Sequence, residues 1–470
     1  MEKAKFKVVI VGGSITGLTL AHCLHQANID HIVLERRHEI APQEGASIGL
    51  WPNGGQILDQ LGLYGELEKL TEPLNVMHVV YPDGFSYSNT LFRQIRERFG
   101  YPVFFMDRQK LLDVLYKTYP NKSKILVNKL VTELRQSDGA ACVMTDDGST
   151  YEGNLIVGAD GVHSRLRSEI WRLADINQPG LVTAEEKQSM TVEYSCIFGI
   201  SSPLPGLASG EHVNAYMNGL TVLTFHGKGG RVYWFVIQKL DRKFTYPNVP
   251  RFSLDDAERS CTALAKIRIW RDICIGHLWQ AREVASMTAL EENIFTTWHY
   301  QRAILLGDSI HKMTPNIGQG ANSGIEDAAL LASLINHLVN IQAIKQPSDL
   351  TVNRMLENFE AIRYPRMEKI YRRSKFGVRM HTRDDLFKRI LGRYVIPLTK
   401  DRLAVMASQL IVDGAVLDFL PQPKRRSGPG WPKPGNCRDG QNGHKRIQYI
   451  LMSIVLVAPA WVYIFSSLVW

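Results

Sequence analysis

The sequence predicts an α/β chain: a Rossmann-like dinucleotide-binding domain interrupted by an inserted, mostly β domain, followed by C-terminal helices and a transmembrane tail helix. Three observations predict it. VVIVGGSITGLTL, residues 8–20, reads as a buried strand, a glycine turn and a helix. Between about 185 and 290, stretches such as TVEYSCIFGI and RVYWFVIQ are rich in β-branched and aromatic residues, and AILLGD, from Ala303, then returns to the buried parallel-strand type. Finally, IQYILMSIVLVAPAWVYIFSSLVW, residues 447–470, contains no charged side chain.

Taken in order, VVIV is a strand, residues 17–27 a helix and HIVLE a second strand. MDRQKLL opens a further helix, with Asp107 as its expected N-cap. LIVGADG, from Leu155, is another buried strand ending in a tight turn. The first part of the dinucleotide-binding domain is therefore expected over 1–184 and the β-rich substrate domain over 185–295. The second part follows over 296–345, including a helix from about Gly324 to Val339, and a helical region covers 346–420. PQPKRRSGPGWPKPGNCRDGQNGH reads as a flexible linker within 421–446.

At roughly 1.5 Å per residue, about 20 apolar residues cross a bilayer core, so 447–470 reads as a single-pass anchor. Pro459 would kink this helix without excluding it. Lys424, Arg425, Arg426, Lys433, Arg438, Lys445 and Arg446 precede the run and nothing charged follows. The positive-inside rule then keeps the body in the cytosol, with the endoplasmic reticulum as the expected membrane.

Hydrophobic residues at 45% and charged residues at 21% are ordinary for a globular enzyme and exclude global disorder. The net charge of +9 comes without zinc-finger spacing, an RNA-binding signature or a dense basic helix, so nucleic acid is not an expected partner. An anionic cofactor and an anionic membrane surface account for the surplus. Six scattered cysteines, with no C-x-x-C pair, read as free thiols; neither a metal site nor a disulfide framework is expected.

The glycine turn departs from G-x-G-x-x-G at its middle position, where Ser14 stands between Gly12 and Gly17, with Gly13 beside it. Gly12 permits the turn and Gly17 lets the helix pack closely. Serine is the smallest polar substitute, its hydroxyl can donate to phosphate, and the helix N-terminus supplies amide dipoles. Glu35, followed by Arg36, ends the second strand where an acid should accept from a ribose 2′-hydroxyl. That acid disfavours a 2′-phosphate, which removes NADP as the nucleotide held here and leaves FAD and NAD.

GADGVHSRLR, residues 158–167, and GDSIHKMTPNIGQGANSGIEDA, residues 307–328, resemble the paired signatures of the FAD-dependent monooxygenases of the aromatic-hydroxylase type. GASIGLWPNG (residues 45–54), Arg108 in MDRQKLL and RYPRMEKI from Arg363 extend the resemblance from Lys7 to about Ser374. Within that family the pattern is most similar to fungal secondary-metabolite epoxidases and hydroxylases acting on meroterpenoids and indole diterpenes. The resemblance implies FAD as the resident cofactor, with NADPH as transient reductant and O2 as co-substrate. It further implies that Asp308 bonds the ribityl chain, that Gly49 and Arg108 contact FAD, and that Asp160 and Gly161 serve FAD and NADPH. Gly318, Gly320 and Ala321 would bring a helix N-terminus to the isoalloxazine, where negative charge gathers on reduction. His311 is expected to be structural rather than a general base.

Substrate choice is expected in the β-rich domain, where Tyr194, Phe198 and Tyr216 are candidates for a pocket wall as against a plain core role. Tyr216 is the candidate catalytic residue, donating a hydrogen bond to oxygen during its transfer. The resemblance implies epoxidation of a prenyl chain in a lipophilic small molecule. Ring hydroxylation by the same machinery, a flavin-dependent alkene reductase, and a non-catalytic FAD-binding membrane scaffold are the alternatives.

Overall fold

Strand β1 (Lys7–Val11) is buried on both faces, with Val8, Val9 and Ile10 all inaccessible, and it therefore sits in the middle of a sheet. The computed structural model describes residues 6–43, 47–399 and 402–432. Helix α1 (Ile15–Gln26) follows β1 and leads to β2 (Asp30–Leu34). β3 (Leu155–Gly158) and β4 (Ala303–Leu305) complete the centre, with β2–β1–β3–β4 parallel in that spatial order. Ile125–Leu126 and the antiparallel His299–Tyr300 form the two edges. This is the expected split nucleotide-binding half, since β4 lies beside β3 although the chain between them builds another sheet.

That other sheet has eight strands, five of them the long Thr191–Ser201, Glu211–Met217, Leu220–His226, Val232–Thr245 and Arg282–Ile294. Its inventory differs from the expected 185–295 block. Val76–Val80 and Ser86–Asn89 join at one edge and His311–Lys312 at the other. Val76–Val80 pairs parallel with Glu211–Met217, a long-range match that no local pattern announces. Strand alternation gives the sheet two different faces. Trp234 points to the outer side, where it packs in a core with Ala257, Cys261 and Leu278 from two covering helices. Gly199 opposes it, because a Cβ there would lie 2.0 Å from the indole. Phe235, the next residue, faces the first sheet with Phe198 and Phe225.

Helix α2 (Gly320–Asn336) packs beside α1, and helix α3 (Asp349–His381) runs behind it. Asp107 stands at the N-cap position of Arg108–Thr118, yet its side chain makes no cap bond. Its carboxylate instead meets Arg231 at 3.2 Å and Lys110 at 3.4 Å. The start of the expected linker is packed, not loose: Lys424–Ser427 forms a short turn, with Arg425 on Glu68 at 2.6 Å and Arg426 on Gln56 at 2.8 Å. Among the described residues no helix is long and apolar enough to cross a membrane; the expected tail helix at 447–470 lies outside them.

Candidate functional site

The C-terminal ends of β1, β2, β3 and β4 open into a cavity of about 530 Å³, walled on its far side by the second sheet. Ligands of open α/β sheets bind at this edge, where strand ends and helix N-termini converge. Gly12, Ser14, Glu35, Arg36, Gly49, Arg108, Asp160, Gly161, Asp308, Gly318, Gly320 and Ala321 all line it. Gly13 and Gly17 shape the loop from behind.

The loop geometry explains which glycines are needed. Gly12 has φ +108°, and a Cβ there would lie 2.4 Å from the Ala159 carbonyl oxygen. At Gly17 a Cβ would stand 1.9 Å from the Gly12 carbonyl oxygen. Ser14 has an unstrained φ of −94° at the start of α1. Its hydroxyl is drawn aside by Arg108, whose guanidinium donates to it at 2.8 Å. Two residues that the sequence singled out separately are thus partners. Glu35 is buried, accepting from the Gly13 amide at 2.8 Å and the Arg37 amide at 2.9 Å. It braces the loop as well as facing the cavity.

Asp160 is heavily engaged by the protein. It accepts from Ser164 (2.5 Å), Ser309 (3.1 Å) and the Leu166 amide (3.0 Å), fixing the start of helix Arg165–Asn177. Gly161 donates its amide to Ser309 at 2.9 Å. Asp308 is half-exposed, and Lys312 donates to it. Gly318 has φ +62° and lies under Trp51. Asn322, fully buried, ties these pieces together. It donates to the carbonyls of Gly49 at 3.0 Å and Gly318 at 2.8 Å, and accepts from the Trp51 amide at 3.0 Å.

Beneath the cavity floor lies a buried charge network that the motifs only partly disclose. Arg363, from RYPRMEKI, donates to Asp327 at 2.8 Å and Glu326 at 2.6 Å, and Arg366 also pairs with Glu326. Burial alone would push the Asp327 carboxyl up, but Arg363 and His311 outweigh it and hold it at about 2. Asp327 accepts from the Gly307 amide at 2.9 Å and meets His311 at 2.7 Å, so it sets the turn that presents Asp308. His311 is fully buried and absent from the cavity lining, which fits the structural role expected of it.

The second sheet contributes rings. Phe198 and Phe235 line the cavity, and Phe105 joins them from the facing strand Phe104–Asp107, stacked on Phe225 at 3.5 Å between centroids. Tyr194 is elsewhere, its hydroxyl donating to Asp384 at 2.6 Å. Tyr216 also lies outside the lining. It stacks on His381 at 4.6 Å, and its hydroxyl accepts from Asn214 at 3.1 Å. Glu291 was not foreseen. It lines the cavity, burial pushes its carboxyl up, and His163 approaches it at 3.3 Å. ALEENIF carries no motif that marks it, only two adjacent acids, Glu291 and Glu292, of which one faces the cavity.

The lining fits a dinucleotide that carries a flavin. At Gly161 and Gly320 a Cβ would meet nothing within 4 Å, so both leave open space where a planar group can approach the backbone. Arg36, Arg37, Arg108, Lys129, Arg165 and Lys312 surround the same cavity, supplying positive charge for a pyrophosphate. Glu35 and Asp308 place carboxylates on the same lining, groups able to accept from hydroxyls. These features define a flavoprotein that holds FAD at the C-terminal edge of a split Rossmann-like sheet.

The chain belongs to the FAD binding domain family, matched over residues 5–193 and 238–374. It is an FAD-dependent monooxygenase. It is 62% identical over 433 residues to FAD-dependent monooxygenase andE of Emericella variicolor, covering 92% of each chain. It is 57% identical to FAD-dependent monooxygenase penE of Penicillium thymicola, covering 92% of this chain and 91% of that one. Among solved structures, Klebsiella pneumoniae HpxO complexed with FAD and uric acid matches with a TM-score of 0.70 at 22% identity, over 87% of this chain and 97% of that one. The 2,6-dihydroxypyridine-3-hydroxylase of Arthrobacter nicotinovorans matches with a TM-score of 0.63 at 16% identity, over 89% and 98%. At those identities the structures share the fold.

Proposed function

We propose that this monooxygenase uses NADPH and O2 to epoxidise the prenyl chain of a lipophilic meroterpenoid or diterpene intermediate in fungal secondary metabolism. The observation that carries the reading is the wall of Phe105, Phe198 and Phe235 opposite the glycine loops. Such a wall favours an apolar alkene and keeps water away from it. The similar monooxygenases from Emericella and Penicillium support the metabolic setting.

FAD, when bound, supplies the redox chemistry that draws electrons from the nicotinamide and activates O2. The protein's part is to bind, orient and hold charge. Glu35 and Arg36 would hold the adenosine ribose end, Arg108 and Ser14 the pyrophosphate, and Asp308 the ribityl hydroxyls. The α2 amides at Gly320 and Ala321 would stabilise negative charge on the ring system. Gly49 leaves room for the ring of Phe105, whose atoms would lie 2.7 Å from a Cβ there. Gly12, Gly13 and Gly17 hold the loop, and Asp160, Gly161 and Gly318 its neighbours. Tyr216 stays protonated, because burial pushes its phenol far up, and it would reach oxygen only on a substrate that extends beyond the cavity lining. As a companion proposal, residues 447–470 anchor the body, cytosol-facing, in the membrane from which such a substrate is drawn.

The test is oxygen uptake by the full chain with FAD, NADPH and prenylated phenols. Substrate-dependent uptake with oxygen found on the prenyl carbons by NMR is the expected result. Oxygen on the ring would make the enzyme an aromatic hydroxylase, and hydride transfer without O2 consumption would make it an alkene reductase. For the anchor, a tail-less chain that uses the same substrate equally well in intact membranes would sink the proposal.

A further inference from the structure

A buried carboxylate is ordinarily held by amides, hydroxyls or cations, and one left nearly bare calls for a reason. Of the eight buried carboxyl side chains among the described residues, seven accept hydrogen bonds from such groups. Glu291 is the exception. Among the described residues its carboxylate has one polar partner, the His163 imidazole, whose Nε2 stands 3.3 Å from Oε1. The other cations that act on it are engaged elsewhere. Lys312 donates to Asp308, and Arg167 donates to the carbonyls of Ser309 at 2.7 Å and Val162 at 2.8 Å. Asp308 adds a like charge, so the charged groups facing Glu291 are His163, Lys312, Arg167 and Asp308. Burial and Asp308 together push its carboxyl up against the three cationic groups.

Both partners line the cavity, yet their surroundings differ. The Glu291 side chain is 9% exposed and that of His163 60%. His163 belongs to GADGVHSRLR, in the turn that Asp160 fixes through Ser164 and the Leu166 amide. Glu291 lies on the strand Arg282–Ile294, whose last residues pair with His311 and Lys312 beside the turn that presents Asp308. Strand alternation sends Glu291 to the cavity and its neighbour Glu292 to Arg379 on α3. The pair thus runs from solvent to the interior of the flavin site.

An imidazole exchanges protons with water near neutral pH, and a desolvated carboxyl can hold a proton and release it. Monooxygenation needs one. Substrate, O2, one hydride and one proton give oxygenated substrate and water; the hydride brings both electrons, and the proton comes from solvent. We propose that His163 and Glu291 form a proton-transfer pair that delivers this solvent proton to the flavin cavity. His163 takes a proton from water and passes the one on Nε2 to Glu291, which releases it on the cavity side. Both side chains end the cycle as they began it. Glu291 is the group that meets the interior, and His163 is a positioning residue that acts through it. This role rests on the monooxygenase activity and not on which carbon of the substrate is oxidised.

The test uses the full chain loaded with FAD, reduced by dithionite without oxygen and then mixed with O2 while absorbance follows reoxidation. Reoxidation of the reduced flavin anion takes up one proton as it gives FAD and hydrogen peroxide, so neither substrate nor nicotinamide is needed. The outcome is therefore separate from that of the epoxidase reading. H163A is expected to reoxidise about tenfold more slowly, and imidazole in the buffer to restore it. E291Q should be slowed as much without responding to imidazole. The parent's rate should fall as pH rises, and E291Q should lose that dependence. Infrared difference spectra of loaded parent against E291Q should show the carbonyl band of a protonated carboxyl. Its pH midpoint should rise in H163A, because the imidazolium that favours the carboxylate is gone. Parent-like rates in both variants, or a slow H163A that imidazole does not restore, overturn the proposal. Loss of FAD from both variants also overturns it and makes the pair a cofactor-holding contact.

Discussion

Two glycines, one behind the cavity's loop and one on its wall, illustrate how one atom separates folding from cofactor binding. At Gly17 the added methyl would lie 1.9 Å from a backbone carbonyl that cannot retreat without moving β1. G17A is therefore expected to destabilise the chain by about 3 kcal/mol or more, a loss read by urea unfolding. At Gly320 the methyl would enter open space on the cavity side, at the first residue of α2. G320A should leave apoprotein stability within about 1 kcal/mol of the parent. Its FAD affinity should fall at least tenfold, measured by flavin fluorescence titration. A G320A chain that binds FAD like the parent would show that the ring does not approach α2. Ser14 belongs to the same scale: the sequence shows an irregular fingerprint, and the bond from Arg108 shows how the irregularity is accommodated.

Between elements, α2 and α3 are joined by charge rather than by apolar packing alone. Arg363 on α3 meets Glu326 and Asp327 on α2, all three fully buried. For Glu326 too, burial pushes the carboxyl up, and Arg366 and Arg363 together outweigh it. Removing Arg363 strands two carboxylates with only part of their compensation, so R363A is expected to cost about 3–5 kcal/mol. R363K should recover a minor part, since one ammonium cannot replace a planar fork that reaches two acids. Because Asp327 also holds the Gly307 amide, R363A should weaken FAD binding as well as lower the unfolding midpoint. Equal FAD affinity in a destabilised R363A would confine the network to a purely structural role.

For the whole molecule, acid sensitivity follows from histidines buried in neutral form. Burial lowers His31, His226 and His381 to about 4 and His212 to about 3. Unfolded, each titrates near 6.5. Between those values the unfolded chain binds protons that the folded chain refuses, so stability falls as pH drops from about 6.5 towards about 4. Through that window each such histidine costs the fold up to about 1.4 kcal/mol for every pH unit of acidification, and the four act in the same direction. The thermal midpoint should therefore be clearly lower at about pH 5 than at about pH 7. H226Q, which keeps a polar partner for Thr224 and Ala208, should flatten part of that slope. An unchanged midpoint across that range in the parent would contradict the assignment.

How much of this was legible beforehand depends on the range of the interactions. The strand–turn–helix at Val8–Leu20, the buried strands at Leu155 and Ala303, and Gly12, Ser14 and Glu35 of the cavity lining could be read because hydrophobic period and glycine stereochemistry are local properties, whereas Gly49, Arg108, Asp160, Gly161, Asp308, Gly318, Gly320 and Ala321 came from the family resemblance. The resemblance of GADGVHSRLR and GDSIHKMTPNIGQGAN to one family added the choice of FAD, and those segments do converge on one cavity. Sequence could not show that Val76–Asn89 would complete a sheet made mostly of residues beyond 190, nor that Asn322 would bind Gly49 from 273 positions away. It left Tyr216 as a candidate for the pocket wall, whereas the fold sets it against His381, and it passed over Glu291. The sequence by itself determined the local elements and the chemistry each motif can offer. Tertiary structure alone decided which of them face each other, because strand pairing and buried ion pairs depend on how distant segments meet, which no local pattern records.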